Sequence, residues 1–374
     1  MSRSSLRIGF WSGFAALLAI PFLWVTWLRF SKGLGAVTNL NDSFPWGLWI
    51  GFDLLCGVGL AAGAFTLTAI VHIFNLKRFE PIIRPTILTG FLGYLFVIMA
   101  LMFDLGQPWR IWHALIYWNP RSVMFEVAWC VMLYTTVLAL EFVPVVLERL
   151  GWHGPRRLLH RFITPLVLAG VILSTLHQSS LGSLYLIVPH DLHPLWYSPM
   201  LPLLFYVSAI GAGIGMVVLE SYLSQRLHGG HLEMDLLEPL ARGMVVALGV
   251  YGLIKLQTIA HNGAWREILA MTYEGRMFAL EFVLGVLAPI GLMAVRRLRE
   301  HPGWMVFASF LTVLGFVMNR LNVSLTALER HAGGRYFPSI SEFIISLGLV
   351  ALGITAFVVA CRLLPIFPAK AKEA

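Results

Sequence analysis

Apolar runs of about 18 residues or more recur from one end of this chain to the other, which fixes lipid as its solvent. Reading those runs between loop signals gives spans near 8–30, 45–74, 83–104, 121–147, 158–184, 200–225, 239–262, 276–295, 303–322 and 339–363. Each covers the roughly 30 Å of hydrocarbon at about 1.5 Å per residue. Only 12% of the residues are charged and 58% are hydrophobic. A soluble chain needs about 25% charged residues to cover its surface. The expected fold class is therefore all-α, a polytopic membrane protein of about ten transmembrane helices with little of the chain outside the bilayer. The first run, behind Arg3 and Arg7, exceeds a signal-peptide core, and no small-residue cleavage site follows it, so it reads as a retained helix.

The excess of basic residues, formally +8, is explained by loop chemistry and not by nucleic acid. Lys77, Arg78 and Arg84, then Arg149, Arg156, Arg157 and Arg161, then Arg226 and Arg242, then Arg296, Arg297 and Arg299 fall in one alternating set of loops. Both termini belong to the same set. The positive-inside rule assigns this set, with both termini, to the cytoplasm. The opposite loops are aromatic, Pro-rich and poorly charged: Phe44-Pro45-Trp46, Trp109 to Trp118, His193 to Tyr197 and Tyr336-Phe337-Pro338. That pattern fits an interfacial aromatic belt, and it equally fits a surface on which a partner protein docks.

A faint repeat runs through the chain. Span 2 opens at Pro45 and carries Gly57, Gly59 and Gly63; span 6 opens after Pro199 and carries Gly211, Gly213 and Gly215. Met124-Phe125-Glu126 on span 4 is echoed by Met277-Phe278 and Glu281 on span 8. The repeat implies two parallel four-helix bundles, 45–184 and 200–322, flanked by helices 1 (8–30) and 10 (339–363) in one membrane domain.

Ionisable groups inside spans cost several kcal/mol unless paired or hydrated, so each is a functional candidate. Asp53 lies roughly 12 Å below the outer face, and Glu126 is about five residues into span 4. Asp104 and Gln107 close span 3 at that face, and His177-Gln178-Ser179-Ser180 occupies the outer turns of span 5. Four successive helices thus bring acids and a histidine to one depth. A quinone suits this: reduction takes up two protons with two electrons, and a carboxylate or imidazole with hydrogen-bond donors beside it can hold the ring and relay protons. The competing reading is mutual pairing that only holds the bundle. Lys255 and Glu281, at similar depth on spans 7 and 8, read as a structural ion pair. His72, Glu141 and Glu220, near the inner ends, read either as an inner proton path or as snorkelling residues.

The histidines do not form deep facing pairs: His177 and His261 lie near outer ends and His72 near an inner one, so haem is not expected. Cys56, Cys130 and Cys361 are far apart inside apolar runs, which points to packing and away from an iron–sulfur cluster or metal site in this chain.

Several stretches carry a resemblance. They are Phe44 to Leu55 with Asp53, Ser122-Val-Met-Phe-Glu126, His177 to Ser183, His193-Pro-Leu-Trp196 and Tyr336-Phe-Pro338. With these the chain resembles the NrfD/PsrC family of quinone-interacting membrane subunits, and within it the HybB-type branch, the membrane subunit of periplasmic [NiFe] hydrogenase. The resemblance implies a chain without a redox centre of its own. It also implies menaquinone or ubiquinone bound near the outer face, and electrons passed to or from a periplasmic ferredoxin-like iron–sulfur subunit. That subunit is tied to a catalytic subunit, a [NiFe] hydrogenase or another redox module, at a bacterial or archaeal cytoplasmic membrane. The implied outer-face location of the quinone coincides with the level of Asp53, Glu126 and His177, the expected catalytic residues, with Asp104, Gln107 and Gln178 completing the expected quinone site. Two other functions compete: a secondary transporter, which would favour inverted repeats and broken midplane helices, and a passive anchor, in which the buried acids are idle.

Overall fold

The computed structural model describes residues 19–44, 46–188, 192–228 and 234–366. A helix over 19–32 (α1) is followed by nine helices long and apolar enough to span a membrane among the described residues. They are α2 Trp49–His72, α3 Lys77–Asp104, α4 Val123–Leu150, α5 Ile163–Ile187, α6 Leu201–Ser224, α7 Met234–His261, α8 Tyr273–Ala294, α9 Pro302–Ala332 and α10 Ile340–Leu363. The expected segment 8–18 of the first span and the terminus beyond Ile366 lie outside the described residues.

Local chemistry sets the ends. Ser122 caps α4 by accepting from the Phe125 amide, and Gly151 ends that helix in the left-handed region at φ 72°. Ser339 and Glu342 form a reciprocal capping box on α10. One boundary differs clearly from the sequence reading: α9 runs ten residues past the predicted end at 322, to Ala332. Asn319, Arg320 and Asn322 interrupt the apolar run there, yet all are buried and bonded inside the protein, so the helix continues across them.

α2, α3, α4 and α5 pack in a ring, as do α6, α7, α8 and α9, and the two bundles meet where α6 lies against α2 and α5. At that junction a Cβ on Gly63 would lie 2.8 Å from the Gly213 carbonyl oxygen, and one on Gly213 would lie 2.5 Å from the Gly63 nitrogen. Only glycine allows this approach, the usual way that helices associate where lipid supplies no hydrophobic drive. The flanking helices α1 and α10 pack beside one another. Val25 of α1, Ile345 and Leu349 of α10, and Trp49, Ala100 and Phe103 of α2 and α3 share one small core, so both helices lie against the first bundle.

Among the described residues three helices contain a π-turn: α2 at Trp49–Leu54, α8 at Val283–Leu287 and α9 at Asn322–Thr326. Such turns re-aim side chains and often lie at functional sites. The first contains Asp53 and the second begins two residues after Glu281. The aromatic loops gather at one end of the molecule and the basic loops at the other. At the basic end Glu148 bridges Arg84 and Arg156 at 3.0 Å each.

Candidate functional site

The expected site residues separate into two neighbourhoods on different faces of α2 and α3. On the α1–α10 side, the Ser346 hydroxyl donates to Asp53 Oδ2 at 2.6 Å. Asp53 and Asp104 lie within electrostatic reach of one another. Arg29 on α1 faces Asp104 and donates to the carbonyls of Phe103 and Leu105, both at 2.5 Å, closing the end of α3. Glu342 completes the group: it accepts from the Tyr336 hydroxyl and from the amides of Asn39 and Ser339 at 3.0 Å each. Burial, and then the Glu342 carboxylate, push the Tyr336 phenol far up from its ordinary pKa, so it remains a donor. Gln107 is exposed beyond the end of α3.

On the α4–α5 side, His177 is fully buried and its Nδ1 is 2.8 Å from the Tyr94 hydroxyl, while its Nε2 has no partner among the described residues. Tyr94 meets Tyr134 edge-to-face at 4.7 Å. Tyr134 in turn interacts with Glu141, one step nearer the basic end. Ser180 donates to Glu126 Oε1 at 2.5 Å, and Gln178 donates to the Val58 carbonyl at 3.0 Å, tying α5 to α2. Thus Asp53 with Asp104, and Glu126 with His177 and Gln178, do not share a pocket: His177 meets α3 at Tyr94, well inward of Asp104. Helical spacing gives depth; which face each group points to depends on how α2 and α3 are rotated within the bundle.

The second bundle holds a third cluster. Glu281 accepts from Asn319 and Asn322 at 2.7 Å each and from the Trp196 indole at 3.0 Å. The expected Lys255–Glu281 ion pair is not a direct contact. Lys255 influences Glu281 from a distance and sits with Nζ 5.6 Å above the Phe278 ring. Neutral donors already occupy the carboxylate. Arg320, unremarked in the sequence reading, donates to Ser208 at 2.8 Å and to the Phe205 carbonyl at 3.1 Å. Its guanidinium lies 3.6 Å from the Phe205 ring centroid. The rule that singles out ionisable residues in spans applies to Arg320; the polar stretch Asn319 to Asn322 was hidden because it coincided with a predicted helix end. Tyr94 and Tyr134 carried no signal, since a buried tyrosine in a span looks like any packing aromatic.

The expected inner proton path divides in the same way. His72 is exposed at the basic end beside Glu80 and His160, which fits snorkelling. Glu141 faces α5, whereas Glu220 points between α3 and α6.

One cavity of about 310 Å³ joins Asp53 to Glu220. It runs along α2 from Asp53 past Cys56, Gly57 and Leu60, with α3, α6 and α10 as its other walls, and ends at Thr89, Glu220 and Ser224. Long, apolar and polar only near its ends, it has the character of a site for a chain-bearing ligand.

Comparison with known proteins agrees with this architecture. The family model described as "Polysulphide reductase, NrfD" matches residues 36–329. The chain belongs to the NrfD family. This NrfD-family chain is 43% identical over 355 residues to a protein of Nitratidesulfovibrio vulgaris strain Hildenborough, covering 91% of the chain and 90% of the relative. It is 36% identical over 363 residues to the probable Ni/Fe-hydrogenase 2 b-type cytochrome subunit of Escherichia coli K12, covering 95% and 91%. It is 30% identical over 400 residues to the menaquinone reductase integral membrane subunit of Nitratidesulfovibrio vulgaris, covering 96% and 94%. The family match spans both bundles and stops before α10.

Proposed function

We propose that this chain is the membrane subunit of a respiratory oxidoreductase complex and exchanges electrons between a partner iron–sulfur subunit and the quinone pool. The observation that carries the reading is Asp53: a carboxylate inside a π-turn, bonded to Ser346, at the aromatic end of an apolar groove in a membrane helix. A quinone ring at this end accepts two electrons and two protons to become the quinol. Asp53, with the Ser346 hydroxyl on its Oδ2, offers an acceptor to a quinol hydroxyl and, when protonated, a donor to a quinone oxygen, and the His177–Tyr94 pair holds a further exchangeable proton on the α4–α5 side. The names of the relatives, a menaquinone reductase subunit and a Ni/Fe-hydrogenase subunit, support a menaquinone or ubiquinone substrate and a hydrogenase-type or related catalytic partner.

In this reading the aromatic end is periplasmic, both termini are cytoplasmic and the membrane is the cytoplasmic membrane of a bacterium or archaeon. The basic loops support that orientation. Exposed Trp109, Trp112, Tyr117 and Trp118 at the aromatic end offer the surface on which a periplasmic ferredoxin-like subunit docks. The chain would bind no haem or iron–sulfur cluster itself.

The test is donor-to-quinone electron transfer in membranes holding the assembled complex, with Asp53→Asn, Glu126→Gln and His177→Ala made singly. Loss of turnover in Asp53→Asn with assembly intact is the expected result. Normal turnover in all three would favour a passive anchor. Proton uptake into the membrane interior is tested separately with Glu141→Gln; unchanged proton movement per electron would exclude Glu141 from any such path.

A further inference from the structure

We infer that the inner end of the groove is a second prenylquinone site, a transit station at Glu220 and Thr89 that α10 encloses; it rests on the reading that the chain meets the quinone pool. Glu220 is nine-tenths buried, and neither carboxylate oxygen has a hydrogen-bond partner among the described residues. The Thr89 hydroxyl lies beside it, but their geometry falls short of a hydrogen bond and Thr89 Oγ1 is likewise unpartnered. An acceptor and a donor left unsatisfied together inside a membrane protein are costly unless a ligand completes them.

The walls identify the ligand. Between Asp53 and Glu220 the groove is lined by side chains such as Phe96, Val97, Leu349, Ile354 and Phe357. Water in a space this size would find partners only near the ends, and apolar cavities stay dry. The occupant is therefore an apolar chain bearing a small polar group. A phospholipid does not fit: Glu220 lies about eight residues, roughly 12 Å, before the end of its helix at His228, deeper than a charged headgroup settles. An uncharged quinol ring reaches that depth, donating a hydroxyl to Glu220, and its quinone form accepts from Thr89.

The groove also has an entrance. Leu223 of α6 and Ile354 of α10 line the groove and are 57% and 62% exposed, so the cavity opens towards lipid between these helices. A ring entering there meets Glu220 first and Asp53 at the far end, with its chain trailing along α10. Because the family match ends at residue 329, this wall is an addition to the part the family model describes.

Photolabelling of the assembled complex in its native membrane tests the site. The probes are a prenylquinol with a photoreactive ring substituent, the same molecule with the reactive group on the chain, and a phosphatidylethanolamine with a photoreactive acyl chain. The expected result is ring label on α6 near Glu220 and on α3 near Thr89, with chain label on α10. Excess unlabelled quinol should displace both labels. Glu220→Leu should lower α6 ring labelling roughly tenfold, as loss of a charge-assisted hydrogen bond requires, while Glu220→Gln keeps most of it. Ring label confined to the aromatic ends of α2–α5 would overturn the transit site and leave quinone exchange standing. Phospholipid label on α10 that quinol does not displace would overturn it in favour of a bound lipid. Ring label nowhere on the chain would overturn both readings. If Glu220→Leu fails to assemble, competition in the unmodified complex decides.

Discussion

Gly213→Ala puts one methyl group into the junction between the two bundles, and the structure sets the cost. The added Cβ would lie 2.5 Å from the Gly63 nitrogen and 2.8 Å from the Ala62 carbonyl carbon, both backbone atoms of α2. No rotamer change relieves such a clash, so α6 must move away from α2 by about 1 Å to restore van der Waals contact. A gap of that size forfeits a quarter to a half of the dispersion energy of each contact along the seam, and overpacking of this kind costs about 1–3 kcal/mol. Set against this is the gain of about 0.5–1 kcal/mol from replacing glycine by alanine in a helix. Gly249→Ala on α7 provides the control, because a Cβ there meets nothing within 4 Å. The control should be neutral or slightly stabilising and Gly213→Ala destabilising by about 1 kcal/mol net, about 2 kcal/mol below the control. The assay is the thermal midpoint of the detergent-solubilised chain by fluorescence-detected size exclusion, with an expected separation of a few degrees. Equal midpoints for the two variants would refute the argument that backbone contact at Gly63 and Gly213 holds the bundles together.

Ser346→Ala removes the 2.6 Å bond to Asp53, and quinone turnover should fall roughly tenfold, less than in Asp53→Asn. Wild-type turnover in Ser346→Ala would separate α10 from the chemistry. Glu281→Gln trades two acceptor oxygens for one. It leaves a donor among Asn319, Asn322 and Trp196 unpaired and removes the anion near Lys255 and Arg320. About 3–5 kcal/mol of stability should be lost, read as reduced yield and thermal midpoint, and an unchanged midpoint would contradict this. His193, in the loop between α5 and α6, should make stability fall in acid. Burial lowers its pKa; Glu274 and Glu267 oppose this, and the Arg330 guanidinium, with Nη1 3.3 Å from Nε2, reinforces it. The unfolded chain therefore binds more protons below its ordinary pKa of about 6.5. The stabilisation is full above that pH and is lost as pH falls through the lower folded value. The midpoint should drop more between pH 7.5 and 5.5 in the native chain than in His193→Gln; equal drops would remove His193 as the cause.

Asp53, Glu126, His177 and Glu281 were all legible as candidates because a charge or imidazole inside an apolar run is costly wherever the helix points. The glycines of spans 2 and 6 likewise announced close packing, and they meet at Gly63 and Gly213. The partners were not legible. Ser346 lies 293 residues from Asp53, and Tyr94 lies 83 from His177. Nothing in a one-dimensional pattern distinguishes either from ordinary span residues.

The sequence alone determined the solvent, most of the helices and the family, since these depend on local hydropathy and on motifs along the chain. Tertiary structure alone decided azimuth and neighbourhood. It split the acids between two faces of the first bundle, put neutral donors on Glu281, and laid α10 against α2 and α3 to enclose a groove. Rotation about a helix axis is set by packing between distant segments, and for that the lipid-facing pattern of a membrane helix gives little guide, because an apolar side chain satisfies lipid and protein alike.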